Sequence, residues 1–245
     1  MSALRVDAEL RRLAAELTCE VDDVAFLAPL GVDGVRELRA TLERALDERY
    51  RPVFRRIEAS SRHLPAPLVA KLASTFFGSL VLGRTATELS AERARKVLPH
   101  VPVETMARCA PYMDPERGQH LIRALPHDLL IPVSRQVIAD GDHAAMGRLL
   151  GALPEDLVPS LVPLLTDGRG LVLVGFHCED ADGLARVIGH LDEAQIVAAG
   201  EAALADGLEA ELQDVLDRLP AEQERRLRDG APTELVRRLE ARVES

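Results

Sequence analysis

A leucine followed by proline, or a near equivalent, recurs at Leu98-Pro99, Leu125-Pro126, Leu153-Pro154, Leu191-Asp192 and Leu219-Pro220, with spacings of 27, 28, 38 and 28 residues. Two joints open with the same pattern, Leu125-Pro-His-Asp-Leu-Leu and Leu153-Pro-Glu-Asp-Leu-Val. A period of this length holds two short helices and a turn, and one such pair cannot bury its own apolar face. In the repeat from 125, Leu129, Leu130, Val133 and Val137 share one helical face. After the turn Asp140-Gly141-Asp142, Ala145, Met146, Leu149, Leu150 and Leu153 share the next. Leu208, Leu212, Val215, Leu216 and Leu219 repeat the arrangement later in the chain. Stripes at this spacing must be buried against neighbouring helices. The expectation is an all-α protein: a right-handed, solenoid-like stack of short helix pairs over 98–245, continuous with a helical section over 1–97.

In that first section the spacing predicts helices over 4–18 and 34–50, the second capped by Asp33. Pro52 is expected to kink or end the second, with further helix to about Ser60. Residues 66–83 read as a buried helix, because Leu72–Leu82 is the most apolar stretch and too short to span a bilayer. Ser90 is expected to start a short helix that runs to Leu98. Pro132, Pro159 and Pro163 fall in the first helix of their pairs, where a regular interior penalises proline by roughly 3 kcal/mol. Those helices must begin late, at the proline, or bend. The repeat from 153 is ten residues longer than its neighbours, and the excess lies around Asp167–Cys178. There Leu171–Phe176 reads as an extra helix, although a short strand fits the same apolar run.

The Leu-Pro-x-Asp-Leu-x openings and Leu-x-x-Leu closings resemble the N-terminal helical domain of MgtE-type magnesium transporters over roughly 98–229, and more loosely HEAT or armadillo arrays. That resemblance implies a cytoplasmic superhelix with an acidic regulatory surface. It assigns no individual residue as a ligand.

Charge is unevenly distributed. Residues 1–123 hold 19 basic and 17 acidic side chains, whereas 124–217 hold 4 arginines against 17 acids. An acidic surface of this kind repels phosphate backbones and attracts cationic partners or divalent ions, so the C-terminal half is not expected to bind nucleic acid. Aromatic residues make up 3% of the chain, with no tryptophan, which disfavours stacking platforms for sugars or single strands. Three widely spaced cysteines do not form a disulfide framework, and the first nine residues lack the apolar core of a signal peptide. Both point to a cytoplasmic protein without membrane insertion.

His177, Cys178, Asp180 and Asp182 form the densest set of potential metal ligands, a candidate site for a divalent metal at the 167–182 insertion. The competing reading is a loop in which Asp180 or Asp182 caps the next helix. Asp140, Asp142 and His143 read as a turn with a helix cap. His63, His100 and His127 each adjoin a Leu-Pro joint, as a ladder or as exposed helix starts. Arg51, Arg55, Arg56 and Arg62, with Arg49, Tyr50 and Phe54 among them, form a candidate grip for phosphate or an acidic protein surface. No nucleophile elbow, phosphate-binding loop, paired-histidine zinc motif or Cys-x-x-Cys is present. The resulting expectation is a non-catalytic, cofactor-free interaction scaffold holding another protein of basic surface. The alternatives are a metal- or small-molecule-binding regulator or enzyme built at 167–182, and self-association of the basic N-terminal half against the acidic C-terminal half.

Overall fold

The computed structural model describes residues 2–17 and 19–243, with side chains at 6–14, 17, 19–42, 44–45 and 48–239. Among them every regular element is helical. The expected helix over 4–18 is α1 (Ser2–Leu17), and Thr18 lies outside the described residues. Two compact units are present, each assembled from separated stretches. The first comprises Met1–Glu48, Thr166–His177 and Leu191–Ser245; the second comprises Arg49–Leu165 and Cys178–His190.

The first unit contains α1, α2 (Val21–Val24), a 3₁₀ segment at Ala25–Leu30, the beginning of α3 (Gly31–Ser61), α12 (Gly168–His177), α14 (Glu193–Asp206), α15 (Glu209–Asp217), α16 (Ala221–Gly230) and α17 (Thr233–Val243). The insertion is therefore helix, and it is central: α12 packs on α14 and α15, with Val172, Val174 and Phe176 buried. Gly168 makes this closeness achievable, because a Cβ there would collide with the backbone carbonyl of Ala198 on α14. A capping box between Asp192 and Gln195 starts α14, and Gly207, at φ 68°, ends it in the left-handed conformation that glycine adopts freely. On α1, Val6, Leu10, Leu13 and Ala14 form a core with Val24 and Val35.

The second unit contains the remainder of α3, then α4 (Ala66–Phe76), α5 (Ser79–Ala86), α6 (Ala91–Val97), α7 (Val103–Cys109), α8 (Pro115–Ile122), α9 (His127–Ala139), α10 (His143–Leu150), α11 (Val158–Leu161) and α13 (Ala181–His190). Its helices contact their second neighbours along the chain. One row runs α5, α7, α9, α11, α13, and the other runs α4, α6, α8. Leu121, Ile122, Leu125, Leu130 and Leu157 form the core between them. The joint leucines thus point inward, Leu125 in this unit and Leu191 and Leu219 in the first.

Local signals act as their chemistry dictates. Ser90 accepts the Arg93 amide at 3.2 Å and Asp142 accepts the Ala145 amide at 2.9 Å, each satisfying a first-turn donor. Pro52 does not end α3, which continues through it to Ser61. Pro132 also lies inside its helix, whereas Pro159 and Pro163 each open a short helical piece where their missing N–H costs no bond. Helix α3 begins at Gly31, so Asp33 sits in its first turn rather than at its cap.

Candidate protein-interaction face

The stretch over 66–83 does not form one buried helix. It breaks at Phe77, whose backbone is extended, and continues as α5 after Gly78. Its apolar side chains also point the other way. Along α4, which packs on α6 and on the 3₁₀ segment Leu98–His100, Ala70 is 1% exposed and Ala66 and Ala73 on the same helical face are half-buried. The other side carries exposed Leu68, Lys71 and Phe76, with Leu72 half-buried among them, and Phe76 is 74% exposed. Small residues let helix backbones approach closely, and the bulky ones are left on the far side.

Helix α5 also makes a close backbone contact. Its Gly83 faces α7 and the following turn so tightly that a Cβ would lie 2.6 Å from the Cys109 carbonyl and 2.8 Å from Tyr112 Cβ. Leu80, in the first turn of α5 beside the break that exposes Phe77, is itself exposed. With Leu64 just before α4, and Tyr50 and Val53 one turn apart on α3, seven large apolar side chains between 50 and 80 are exposed.

The surrounding charge is basic. Residues 49–97 hold ten basic side chains and three acidic ones. All three acids are engaged: Glu58 with Arg62 at 2.7 Å, Glu92 with Lys96 at 2.5 Å, and Glu88 with Arg51, Arg55 and Arg117. Of the four arginines expected to grip a partner, the structure gathers Arg51 and Arg55 on one carboxylate, pairs Arg62 with Glu58 in the last turn of α3 and leaves Arg56 exposed.

The proposed metal ligands are placed as follows. His177 is the last residue of α12, its ring set edge-on to Phe176 at 5.0 Å between centroids. Cys178 is fully buried and donates to the Asp180 carbonyl at 3.4 Å. Asp180 accepts the Asp182 amide at 3.1 Å at the start of α13, with its carboxylate against Gly151, and Asp182 is exposed. Among the described residues no three His, Cys, Asp or Glu side chains are grouped to hold a metal ion. Asp140 accepts from Gln136 at 2.8 Å, while His63 and His100 are exposed and His127 is half-buried with its Nε2 3.5 Å from an Asp156 carboxylate oxygen.

Sequence reasoning missed a buried ionic cluster in the first unit. Glu9 and Arg12 on α1 are almost completely buried and paired at 2.7 Å. Arg12 also donates to Asp214 of α15, and Arg36 and Arg39 of α3 approach Glu9 at 3.0 and 3.6 Å. Arg218 holds Asp214 at 2.9 Å and donates to the Gly175 carbonyl at 3.0 Å, so two arginines bind the C-terminal carbonyls of α12, where cations are favoured. Burial pushes the Glu9 carboxyl up, but Arg12, Arg39 and Arg36 outweigh it and hold it below the usual range. Nearby Glu211 is raised by burial, only partly offset by Arg11 at 2.7 Å. The available signal was the position of Glu9 and Arg12 among Val6, Leu10 and Leu13 on one apolar face. Glu9, Asp214 and Glu211 are each paired with a guanidinium group. No helix among the described residues is long and apolar enough to cross a membrane. No family model, curated protein or solved structure matches the chain, and its functional reading rests on its own residues.

Proposed function

We propose that this chain is a non-catalytic protein-interaction module, whose second unit stacks short helices in solenoid fashion and offers the outer side of α4 and α5 to a protein partner. The observation that carries this is the inverted α4, with Ala70 buried and Leu68 and Phe76 exposed. Exposed apolar groups set among charges mark contact sites, because water is expelled from them only when something docks. The two rows of second-neighbour contacts support the solenoid reading, since each helix is buried by those before and after it. The basic, apolar face is favoured over the acidic stretch 124–217, in which no large apolar side chain is exposed among the described residues.

The test compares wild type with Leu68→Ser/Phe76→Ser. Both should show the same helicity and melting temperature, and only wild type should retain a defined protein from native lysate. Retention of the same proteins by both would refute the reading.

A further inference from the structure

We infer that the α4–α5 face is occupied by a second copy of this chain, docked through the acidic, apolar segment Leu17–Asp33, so that copies join head to tail. This rests on the reading of α4–α5 as an interaction face and names its occupant. Outside 50–80, the large exposed apolar side chains among the described residues are Leu17, Phe26, Leu30, Leu42 and Tyr112. Three of these five bracket one segment. In the 3₁₀ segment Ala25–Leu30 every residue except Leu27 is exposed, and Phe26 reaches 76%. Leu27 alone packs on the α1 core, so the segment is anchored at one point with its other side chains outward.

The charges of the two faces are opposite. Residues 19–35 carry Glu20, Asp22, Asp23 and Asp33 and no basic side chain. Residues 66–86 carry Lys71 and Arg84 and no acidic one. Lys71 lies on the exposed α4 stripe itself, between Leu68 and Phe76. Pairing α4 with α4 of another copy would set Lys71 against Lys71 with no acid in either segment to compensate. Pairing it with Leu17–Asp33 matches apolar to apolar and cation to carboxylate at once, which is how interfaces fix both affinity and register. The joined pair then keeps one unused face of each kind, so the contact is heterologous and extends into a ring or a filament.

Sedimentation velocity tests this on wild type, on Leu68→Ser/Phe76→Ser and on Phe26→Ser/Leu30→Ser. All four positions are exposed, so folding should survive, and circular dichroism checks that it does. Wild type should grow in mass with concentration and return to monomer at high salt. Each double variant alone should stay monomeric, and their equimolar mixture should stop at twice the monomer mass, because one competent face of each kind remains. Association of the Phe26→Ser/Leu30→Ser variant with itself would instead show α4-to-α4 pairing and overturn the proposal. Wild type that stays monomeric at low salt would overturn it too, including the case in which it co-sediments with phosphatidylserine vesicles. If that monomer still retains a lysate protein through Leu68 and Phe76, the interaction reading stands and only the occupant named here is wrong.

Discussion

The guanidinium of Arg12 lies 4.2 Å over the ring of Phe176 and also donates to the carbonyl of that residue, from Nε at 3.2 Å and from the outer nitrogen at 2.6 Å. One planar cation thus binds both the π-face and the backbone of a residue 164 positions away. Its remaining nitrogen goes to Glu9, so the fork is used in every direction. A lysine offers neither the plane nor the spread of donors.

Replacing Arg12 should therefore be severe. Arg12→Met leaves Glu9 and Asp214 with a buried partner missing and removes a cation from the end of α12, a loss expected at about 3–5 kcal/mol. Arg12→Lys should recover less than half of it. Urea unfolding followed by circular dichroism measures both, and a loss below about 1 kcal/mol for Arg12→Met would show that the cluster is not needed.

The two buried glutamates should titrate in opposite senses. Glu9 is held below its ordinary 4.5, so its stabilisation is present above that value and is lost as pH falls through the folded-state value. Glu211 is raised above 4.5, so its contribution is complete below 4.5 and is lost as pH rises through the folded-state value. Urea midpoints between about pH 3 and 7 should lose part of their acid decline in Glu9→Gln, and part of their decline toward neutrality in Glu211→Gln. Identical pH profiles for the two variants would contradict this assignment.

Glycine substitutions should divide by what a methyl group meets. Gly168→Ala forces a side chain into the Ala198 backbone and should cost about 1–3 kcal/mol. Gly189→Ala, inside α13 with nothing within 4 Å of the added Cβ, should gain about 0.5–1 kcal/mol. Thermal melts of the two variants should move in opposite directions from wild type.

Cysteine labelling should follow burial. Cys178 is sealed, and the Cys109 thiol is pushed up to about 11 by burial, whereas Cys19 is half-exposed. Iodoacetamide at mildly alkaline pH should label Cys19 first in the native protein, with the other two modified at speed only after denaturation. Intact-mass spectrometry reads this directly, and early modification of Cys109 would contradict the packing of α7.

Helicity, turns and caps were legible because they are set locally. Asp142 and Ser90 cap whatever follows them, and Leu125, Leu191 and Leu219 are buried wherever the chain brings a neighbour. The direction of α4 was not legible, because apolar content at 66–83 says that a surface must be covered but not from which side. The outcome was decided by Ala70 and Gly83 fitting contacts that Leu68 and Phe76 could not enter. The ionic cluster escaped for another reason: Glu9 and Arg12 look like solvated charges until residues two hundred positions later surround them. The insertion at 167–182 stood out as an irregularity of period, yet its Gly168 serves the close packing of α12 against α14.

The pairing of Arg12 with Asp214, 202 residues later, also bears on synthesis. A ribosome adding roughly 5–20 residues per second makes α1 about 10–40 s before α15 exists to receive it. Throughout that interval the apolar side of α1 can already pack on Val24 and Val35, whereas Arg12 still lacks both the Phe176 carbonyl and the Asp214 carboxylate. The hydrophobic half of its seat is thus made locally, and the ionic half is completed only when α12 and α15 arrive.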